Sequence, residues 1–163
     1  MPYRVCFVCT GNICRSPMAE AVFRARVAEA GLEGRVVADS AGTGGWHEGE
    51  HADPRAVSVL GEHGYDSEHV ARRFEPSWFA RLDLVIALDA GHLKALRRLA
   101  PTEKDARKIR LLRSFDPAGD DDLDVPDPYY GGRDDFEECL EMVEAASTGL
   151  LAAVREELEG RAA

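Results

Sequence analysis

No stretch of this 163-residue sequence reaches the roughly 18 consecutive apolar residues that a membrane-spanning helix needs. Residues 1–8 are too few for a signal peptide, and they include the charged Arg4. Because neither secretion nor membrane insertion is indicated, we expect a cytoplasmic protein. The length and the 45% hydrophobic content predict one well-packed domain over residues 1–163.

Positive charge is also scarce, since 20 lysines and arginines stand against 30 aspartates and glutamates. The resulting net charge of −10 argues against general binding of nucleic acid or of anionic membranes. A local basic pocket can still exist on an acidic protein, so small anionic ligands are not excluded.

Cysteine is limited to Cys6, Cys9, Cys14 and Cys139. Without a secretory signal, these thiols are expected to be reduced. Cys6, Cys9 and Cys14 are close together in sequence, but no second pair follows downstream, and a structural zinc site usually needs four ligands. We therefore expect no metal site at these cysteines.

The most informative segment is residues 9–16, which we call the Cys9 loop; it begins at Cys9 and ends with Arg15 and Ser16. The apolar residues 5–8 predict a buried strand before it, and Pro17 suits the first position of a helix after it. Free N–H groups at such a helix N-terminus bind anions and favour the thiolate form of a cysteine. An arginine adds a planar fork for two phosphate oxygens. The loop lacks the lysine of a nucleotide-binding loop, so it predicts phosphoryl transfer on a cysteine.

Strands and helices alternate along the rest of the chain, which predicts an α/β fold with a parallel sheet covered on both faces. Ligands of such sheets bind beyond the carboxyl ends of the strands, where the Cys9 loop falls. About five helices and a long loop over residues 116–133 are expected. The strands are predicted at residues 5–8, 35–39, 82–88 and 109–112, and the helices at residues 17–30, 54–63, 89–99 and 136–158, with one further helical turn within residues 67–76.

Two sequence motifs are rejected. His47 and His51 match the spacing of a zinc-protease helix, but Gly49 between them and the nearby Pro54 predict a loop, so no metal is expected there. The glycines around Thr43 are too few for a dinucleotide fingerprint.

Cys9-x5-Arg15-Ser16 at the N-terminus, combined with Asp127-Pro128-Tyr129-Tyr130 near the C-terminus, resembles the low-molecular-weight protein tyrosine phosphatases. Residues 39–43, Trp46, residues 69–72 and residues 88–89 extend the resemblance over nearly the whole chain. It implies a three-layer α/β/α, flavodoxin-like fold with strand order 2-1-3-4. It also implies a cofactor-free enzyme acting on phosphotyrosine proteins and small aryl phosphates, with inorganic phosphate as a ligand, as a monomer or weak dimer.

The chemistry assigns roles to three residues. Cys9 is the expected nucleophile, Arg15 the phosphate clamp, and Asp127 the acid that protonates a phenolate leaving group. Pro128 favours extended geometry at Asp127, although a turn-forming aspartate is the alternative, as at Asp116-Pro117. The equatorial phosphate oxygens would be bound by backbone N–H groups of Thr10, Gly11, Asn12, Ile13, Cys14 and Ser16.

Supporting residues follow from the same resemblance. Ser16 would donate a hydrogen bond to the Cys9 thiolate, or serve as a helix N-cap, and Asn12 would be held by Ser40 and His69. An exposed loop position is the alternative for His69. The aromatic side chains would form the cleft walls, with core packing as the alternative, at Trp46, Tyr129 and Tyr130.

The resemblance implies that Cys14 forms a reversible disulfide with Cys9 that protects the nucleophile from deeper oxidation, with a small buried side chain as the alternative, whereas Cys139 is expected to be inert core.

Three other functions are alternatives. An arsenate reductase of this fold needs relay cysteines within residues 82–99, and there are none. A non-catalytic phosphotyrosine-binding module would have lost the nucleophile, clamp or acid, and a cysteine phosphocarrier would need neither acid nor aromatic walls.

Overall fold

The computed structural model describes residues 1–119 and 121–162. Its four strands form one parallel sheet in the order β2-β1-β3-β4, which confirms the predicted topology. The central strand, β1, pairs with β2 on one side and with β3 on the other. The strands are β1 (Tyr3–Cys9), β2 (Val36–Gly42), β3 (Leu84–Ala87) and β4 (Ile109–Leu111).

Five α-helices connect or follow these strands within the described residues. Three begin with a polar side chain that accepts a hydrogen bond from the first turn, namely Asp53, Asp89 and Thr102. The helices are α1 (Arg15–Glu29), α2 (Pro54–Glu62), α3 (Ala90–Leu99), α4 (Glu103–Ala106) and α5 (Arg133–Ala162), and two short 3-10 helices cover Pro76–Ala80 and Leu112–Phe115.

The sheet is covered on both faces because its strands are apolar on both. In β1, Val5 and Phe7 point into a core shared with α1, α2 and α5. The alternate residues Cys6 and Val8 point into a second core with α3 and the first 3-10 helix. The predicted three layers follow from this alternation, and β1 is the strand that both cores share.

Several predicted boundaries are wrong. α1 begins at Arg15, so Pro17 is its third residue and Ser16 is not its N-cap. β2 continues through Gly42, because it stays paired with β1 as far as Cys9. The helical turn expected within residues 67–76 begins only at the last of them and covers Pro76–Ala80, and the four-residue α4 was not predicted.

The carboxyl ends of the three neighbouring strands bring distant segments together. Cys9 ends β1, Gly42 ends β2, and Asp89 follows β3. Residues 124–132, called the Asp127 loop below, return to the same edge, where the Val125 N–H donates to the Leu88 carbonyl at 2.8 Å. Across the described residues, no helix is long and apolar enough to cross a membrane.

Candidate active site

The Cys9 loop is braced from outside by the end of β2. The N–H groups of Thr43 and Gly44 donate to the carbonyls of Cys9 and Thr10, at 2.9 and 3.1 Å. Gly42 makes this approach possible, because a Cβ atom there would lie 2.8 Å from the Thr10 carbonyl oxygen. The glycine-rich segment after β2 thus packs closely against the Cys9 loop, which is a structural role and not the binding of a dinucleotide.

Asn12 is the residue that holds the loop in shape. Its φ of 58° is in the left-handed region, which asparagine tolerates better than most residues. Its side-chain oxygen accepts from the Arg72 N–H at 3.0 Å, and its carbonyl contacts His69 Nε2 at 2.7 Å. The Asn12 amide nitrogen donates to the hydroxyls of Ser16 and Ser40, at 2.8 and 2.9 Å. The structure therefore places both Ser40 and His69 against Asn12.

A directed chain of hydrogen bonds ends at the Cys9 sulfur. The Ser40 hydroxyl donates to the buried Glu20 carboxylate at 2.7 Å, so its oxygen is free to accept from Asn12. Ser16 Oγ also accepts from Asn12, and its own hydrogen has two acceptors within reach, Cys9 Sγ at 2.9 Å and the Ala41 carbonyl oxygen at 3.5 Å, of which the sulfur is the nearer. A donor aimed at sulfur stabilises the thiolate over the thiol.

The Arg15 guanidinium is buried at the edge of the sheet. Its NH1 nitrogen donates to Asp89 Oδ2 at 2.8 Å and to the Val125 carbonyl at 2.9 Å. Its NH2 nitrogen lies 3.4 Å from His92 Nε2. With NH1 occupied by protein acceptors, the Nε–NH2 edge remains to bind two phosphate oxygens.

Neighbouring charges keep the Arg15–Asp89 pair ionised. Burial disfavours the charged guanidinium, but Cys9 and the Asp89 and Asp127 carboxylates outweigh it and raise the pKa of Arg15. Burial likewise disfavours the Asp89 carboxylate, but the His92 N–H, the His92 ring and Arg15 outweigh it and lower the Asp89 pKa. The Arg15 guanidinium is therefore a positive group held by a carboxylate at the N-cap of α3.

Asp127 lies beside Arg15 in the cleft, with its Oδ2 atom 3.7 Å from Arg15 NH2. Its other oxygen, Oδ1, accepts from the Tyr129 N–H at 3.1 Å. This is the local turn contact expected of an Asp-Pro segment. The Asp127 side chain therefore stabilises a turn through Oδ1 and still lines the cleft. Oδ2 is the oxygen left to exchange a proton with a ligand.

A cleft of about 450 Å³ opens above the Cys9 loop. Trp46 and Tyr130 are 73% and 90% exposed, which excludes core packing for these two side chains. Tyr129 is partly exposed and stacks edge to face against Tyr130. The lining residues are Cys9, Thr10, Gly11, Ile13, Cys14, Arg15, Trp46, His47, Asp127, Tyr129 and Tyr130.

His47 and His51 lie in a turn and the segment that follows it, and not in the helix a zinc-protease motif requires. His47 Nδ1 contacts Glu50 at 2.8 Å, and His51 Nδ1 lies 3.3 Å from the His69 carbonyl. Residues 1–119 and 121–162 contain no group of three or more side chains able to hold a metal ion.

The other cysteines are buried and unbridged. Burial, followed by the Asp53 carboxylate, raises the pKa of Cys14 far above its usual range. Burial raises the pKa of Cys139 to about 12. Both side chains are therefore neutral thiols at physiological pH.

His92, a residue that the sequence did not single out, is buried behind the clamp. Its Nε2 atom lies 2.8 Å from Thr10 Oγ1, and its Nδ1 atom lies 3.2 Å from Asp89. Burial and the Arg15 charge lower the pKa of His92 from its usual 6.5 to about 4. A neutral ring thus supports both the loop and the clamp.

The low pKa of His92 predicts a loss of stability in acid. The unfolded chain takes up this proton near pH 6.5 and the folded chain only near pH 4, so acid favours unfolding between those values. Denaturant titrations at pH 7, 5.5 and 4.5 should show the unfolding free energy falling by up to roughly 3 kcal/mol from this group. His92→Asn should flatten the fall; an unchanged pH dependence would assign it to other groups.

Sequence reasoning missed most of the residues that support the site. Asp89 was noted as the start of a helix and as part of the family resemblance, but no role was assigned to it, although its position after a buried strand signals the ligand-binding edge of the sheet. Arg72 lies in the stretch 69–72 that carries part of the resemblance, but no contact with Asn12 was predicted for it. Glu20 and His92 carry no local signal, because each reaches the site from an element whose position depends on the tertiary fold.

Comparison with known proteins identifies relatives over nearly the whole chain. The sequence model of the family "Low molecular weight phosphotyrosine protein phosphatase" matches residues 4–160. A low molecular weight protein-tyrosine-phosphatase of Streptomyces coelicolor is 79% identical over 164 residues, covering 100% of both chains. Low molecular weight protein-tyrosine phosphatase A of Mycobacterium tuberculosis is 49% identical, covering 91% of this chain and 90% of its own.

Solved structures show the same fold. A protein tyrosine phosphatase from Entamoeba histolytica, with Hepes in its active site, superposes with a TM-score of 0.91 at 35% identity, covering 95% of this chain and 98% of that chain. YfkJ from Bacillus subtilis superposes with a TM-score of 0.89 at 39% identity, covering 96% and 97%.

Proposed function

Because the chain belongs to the low molecular weight phosphotyrosine protein phosphatase family and is a protein-tyrosine-phosphatase, we propose that it hydrolyses phosphotyrosine and aryl phosphates through a phosphocysteine on Cys9. The observation that carries the proposal is the convergence of three groups distant in sequence. Cys9 has a hydroxyl donor at 2.9 Å, the Arg15 fork lies beside it, and Asp127 Oδ2 lies 3.7 Å from that fork.

In the first step, the Cys9 thiolate attacks phosphorus in line with the ester oxygen. A phosphorus–sulfur bond forms as the phosphorus–oxygen bond breaks, and protonated Asp127 gives its proton to the departing phenolate oxygen. The Nε–NH2 edge of Arg15 and the loop N–H groups bind the three equatorial oxygens.

In the second step, the Asp127 carboxylate takes a proton from water as that water attacks the phosphocysteine. The phosphorus–sulfur bond breaks, inorganic phosphate leaves, and Cys9 returns as a thiolate stabilised by Ser16. Every proton is accounted for by Asp127, and neither step needs a metal or an organic cofactor.

The cleft favours a flat substrate that reaches its floor. Trp46 and Tyr130 at the rim and Tyr129 beside them offer aromatic faces to a phenyl ring, while Cys9 is buried beneath. Phosphotyrosine proteins and small aryl phosphates are therefore the proposed substrates. The acidic net charge supports neither nucleic acid nor membranes as partners, and we propose a monomer or weak dimer acting in the cytoplasm, where thiols stay reduced.

Cys14 is proposed to protect the nucleophile. Peroxide would convert the Cys9 thiolate to a sulfenic acid, and attack by the Cys14 sulfur would form a disulfide with release of water. The neutral Cys14 thiol adds no second negative charge beside the substrate phosphate during turnover.

Asp127→Ala should lower kcat for phenyl phosphate by about 10²–10³-fold, because a phenolate is a poor leaving group without a proton donor. The loss should be much smaller for p-nitrophenyl phosphate, whose leaving group is a more acidic phenol. Steady-state kinetics over a series of substituted phenyl phosphates measure both effects.

Asp116→Ala is the matched control. Asp116 also precedes a proline and also binds a backbone N–H two residues on, that of Ala118 at 2.9 Å, but it does not line the cleft. Its replacement should leave the leaving-group dependence unchanged. Equal losses on all substrates in Asp127→Ala would remove Asp127 from the acid role.

A further inference from the structure

Arg55, in the first turn of α2, connects two segments of the site. Its Nε and NH2 nitrogens donate to the Asp53 carboxylate at 3.0 and 2.9 Å. NH1 donates to the Gly131 carbonyl at 3.1 Å, and NH2 donates to the Tyr129 carbonyl at 3.0 Å. One guanidinium therefore holds two carbonyls of the Asp127 loop against the start of α2.

Aromatic rings fix the plane of this guanidinium. Its carbon lies 4.6 Å from the ring centroid of the buried Phe136, in the first turn of α5, and 5.6 Å from that of Tyr129. Stacking on a packed ring restricts the rotation of the fork, so its hydrogen bonds keep their directions.

Asp53 carries the connection on to the Cys9 loop. Its N–H donates to the Ile13 carbonyl at 2.8 Å, and its buried carboxylate faces the Cys14 thiol. The hydrogen bonds from Arg55 outweigh burial and lower the pKa of Asp53, so the pair stays ionised. Asp53 and Arg55 thus bridge the loop of the nucleophile and the loop of the acid.

The Tyr129 backbone connects Arg55 to Asp127. Its N–H donates to Asp127 Oδ1, and its carbonyl accepts from Arg55. Displacing the Tyr129 backbone would therefore move the carboxylate whose Oδ2 faces Arg15.

We infer that Arg55 is a positioning residue that holds Asp127 at its working distance from the Cys9 loop. The inference rests on the proposed function of Asp127 as the acid. Arg55 itself contacts neither the nucleophile nor the phosphate-binding groups; it acts through the backbone of residues 129–131.

The test compares Arg55→Ala with Arg133→Ala. Arg133 follows the Asp127 loop directly and also joins α5 to α2, because its side chain contacts Ser58, Glu62 and Glu137. Unlike Arg55, its side chain has no hydrogen bond to residues 124–132. Arg55→Ala should lower kcat for phenyl phosphate at least about tenfold, since misplacing a catalytic group by about 1 Å can cost about 10²-fold. It should change p-nitrophenyl phosphate turnover much less, and Arg133→Ala should change neither.

Non-additivity separates positioning from general loosening. In an Asp127→Ala background, the Arg55 substitution should cost nothing further, because the acid it positions is gone. An equal loss with and without Asp127, or equal losses on both substrates, would overturn the positioning role and leave the acid role intact. No leaving-group effect in Asp127→Ala itself would overturn both.

Arg55→Lys makes the test independent of folding. Lysine keeps the charge but lacks the fork that reaches Asp53 and two carbonyls together, so it should show the same substrate-dependent loss in weaker form. Circular dichroism melts define a temperature at which every variant is folded. Parent-like kinetics in a folded Arg55→Lys and a folded Arg55→Ala would contradict the inference.

Discussion

Replacing Cys9 with serine should abolish turnover, with kcat falling on the order of 10⁵–10⁶-fold, the loss typical of removing a nucleophile. An alcohol is not ionised at neutral pH, and the Ser16 hydroxyl aimed at position 9 cannot bring its ionisation into the physiological range. Burst and steady-state assays with p-nitrophenyl phosphate measure both phosphoenzyme formation and turnover.

Binding should survive this substitution, because the loop N–H groups and the Arg15 clamp remain. Inorganic phosphate should therefore still bind Cys9→Ser in calorimetric titrations. Cys139→Ala serves as the control, since Cys139 is a buried neutral thiol outside the cleft and its loss should leave kcat unchanged. Measurable turnover by Cys9→Ser, or turnover that depends on added Zn²⁺, would overturn the cysteine mechanism.

The same series tests the protective role proposed for Cys14. After peroxide treatment and then a thiol reductant, the parent should regain most of its own initial activity. Cys14→Ser should regain much less of its own, because its Cys9 has no neighbouring thiol to trap the sulfenic acid. Equal recovery in the two proteins would remove Cys14 from this role.

The sheet was predictable because short apolar runs alternate with helical segments, and a parallel sheet with covered faces is the usual result. The boundaries of the strands could not be predicted where pairing with a neighbouring strand outweighs the local preference of the residues. Ser40, Ala41 and Gly42 have a loop-like composition, yet they continue β2 because β1 lies beside them as far as Cys9.

The residues of the candidate site also fall into those that could be predicted from the sequence and those that could not. The Cys9 loop could be predicted as a site because the proposed nucleophile, anion-binding backbone and clamp are contiguous in sequence. Asp127 was predicted from its chemistry and from the family resemblance. The residues that support these groups could not be predicted in this way: Asp89 and His92 contact Arg15 from the start of α3, and Arg55 contacts the Asp127 loop from α2. Their roles depend on side-chain positions that only the folded chain defines.

Arg15→Ala should lower kcat/KM by about 10⁴-fold, because it removes two donors to the transferring phosphoryl group, and one such donor is typically worth about 10²–10³-fold. Arg15→Lys should recover only part of this loss. Lysine restores the charge but not the two parallel donors. If its ammonium group pairs with Asp89, as Arg15 NH1 does, no donor remains where the Nε–NH2 edge of Arg15 would bind phosphate.

Folding must be separated from binding here, since Arg15 is buried and its removal leaves the Asp89 carboxylate without its partner. The double variant Arg15→Ala/Asp89→Asn removes that unpaired charge, so its unfolding midpoint should exceed that of Arg15→Ala while its kcat/KM stays low. Recovery of activity along with stability would show that Arg15 acts by holding Asp89 and not by binding phosphate. Parent-like inhibition of Arg15→Lys by inorganic phosphate would show that charge alone suffices, and the two-oxygen clamp would have to be abandoned.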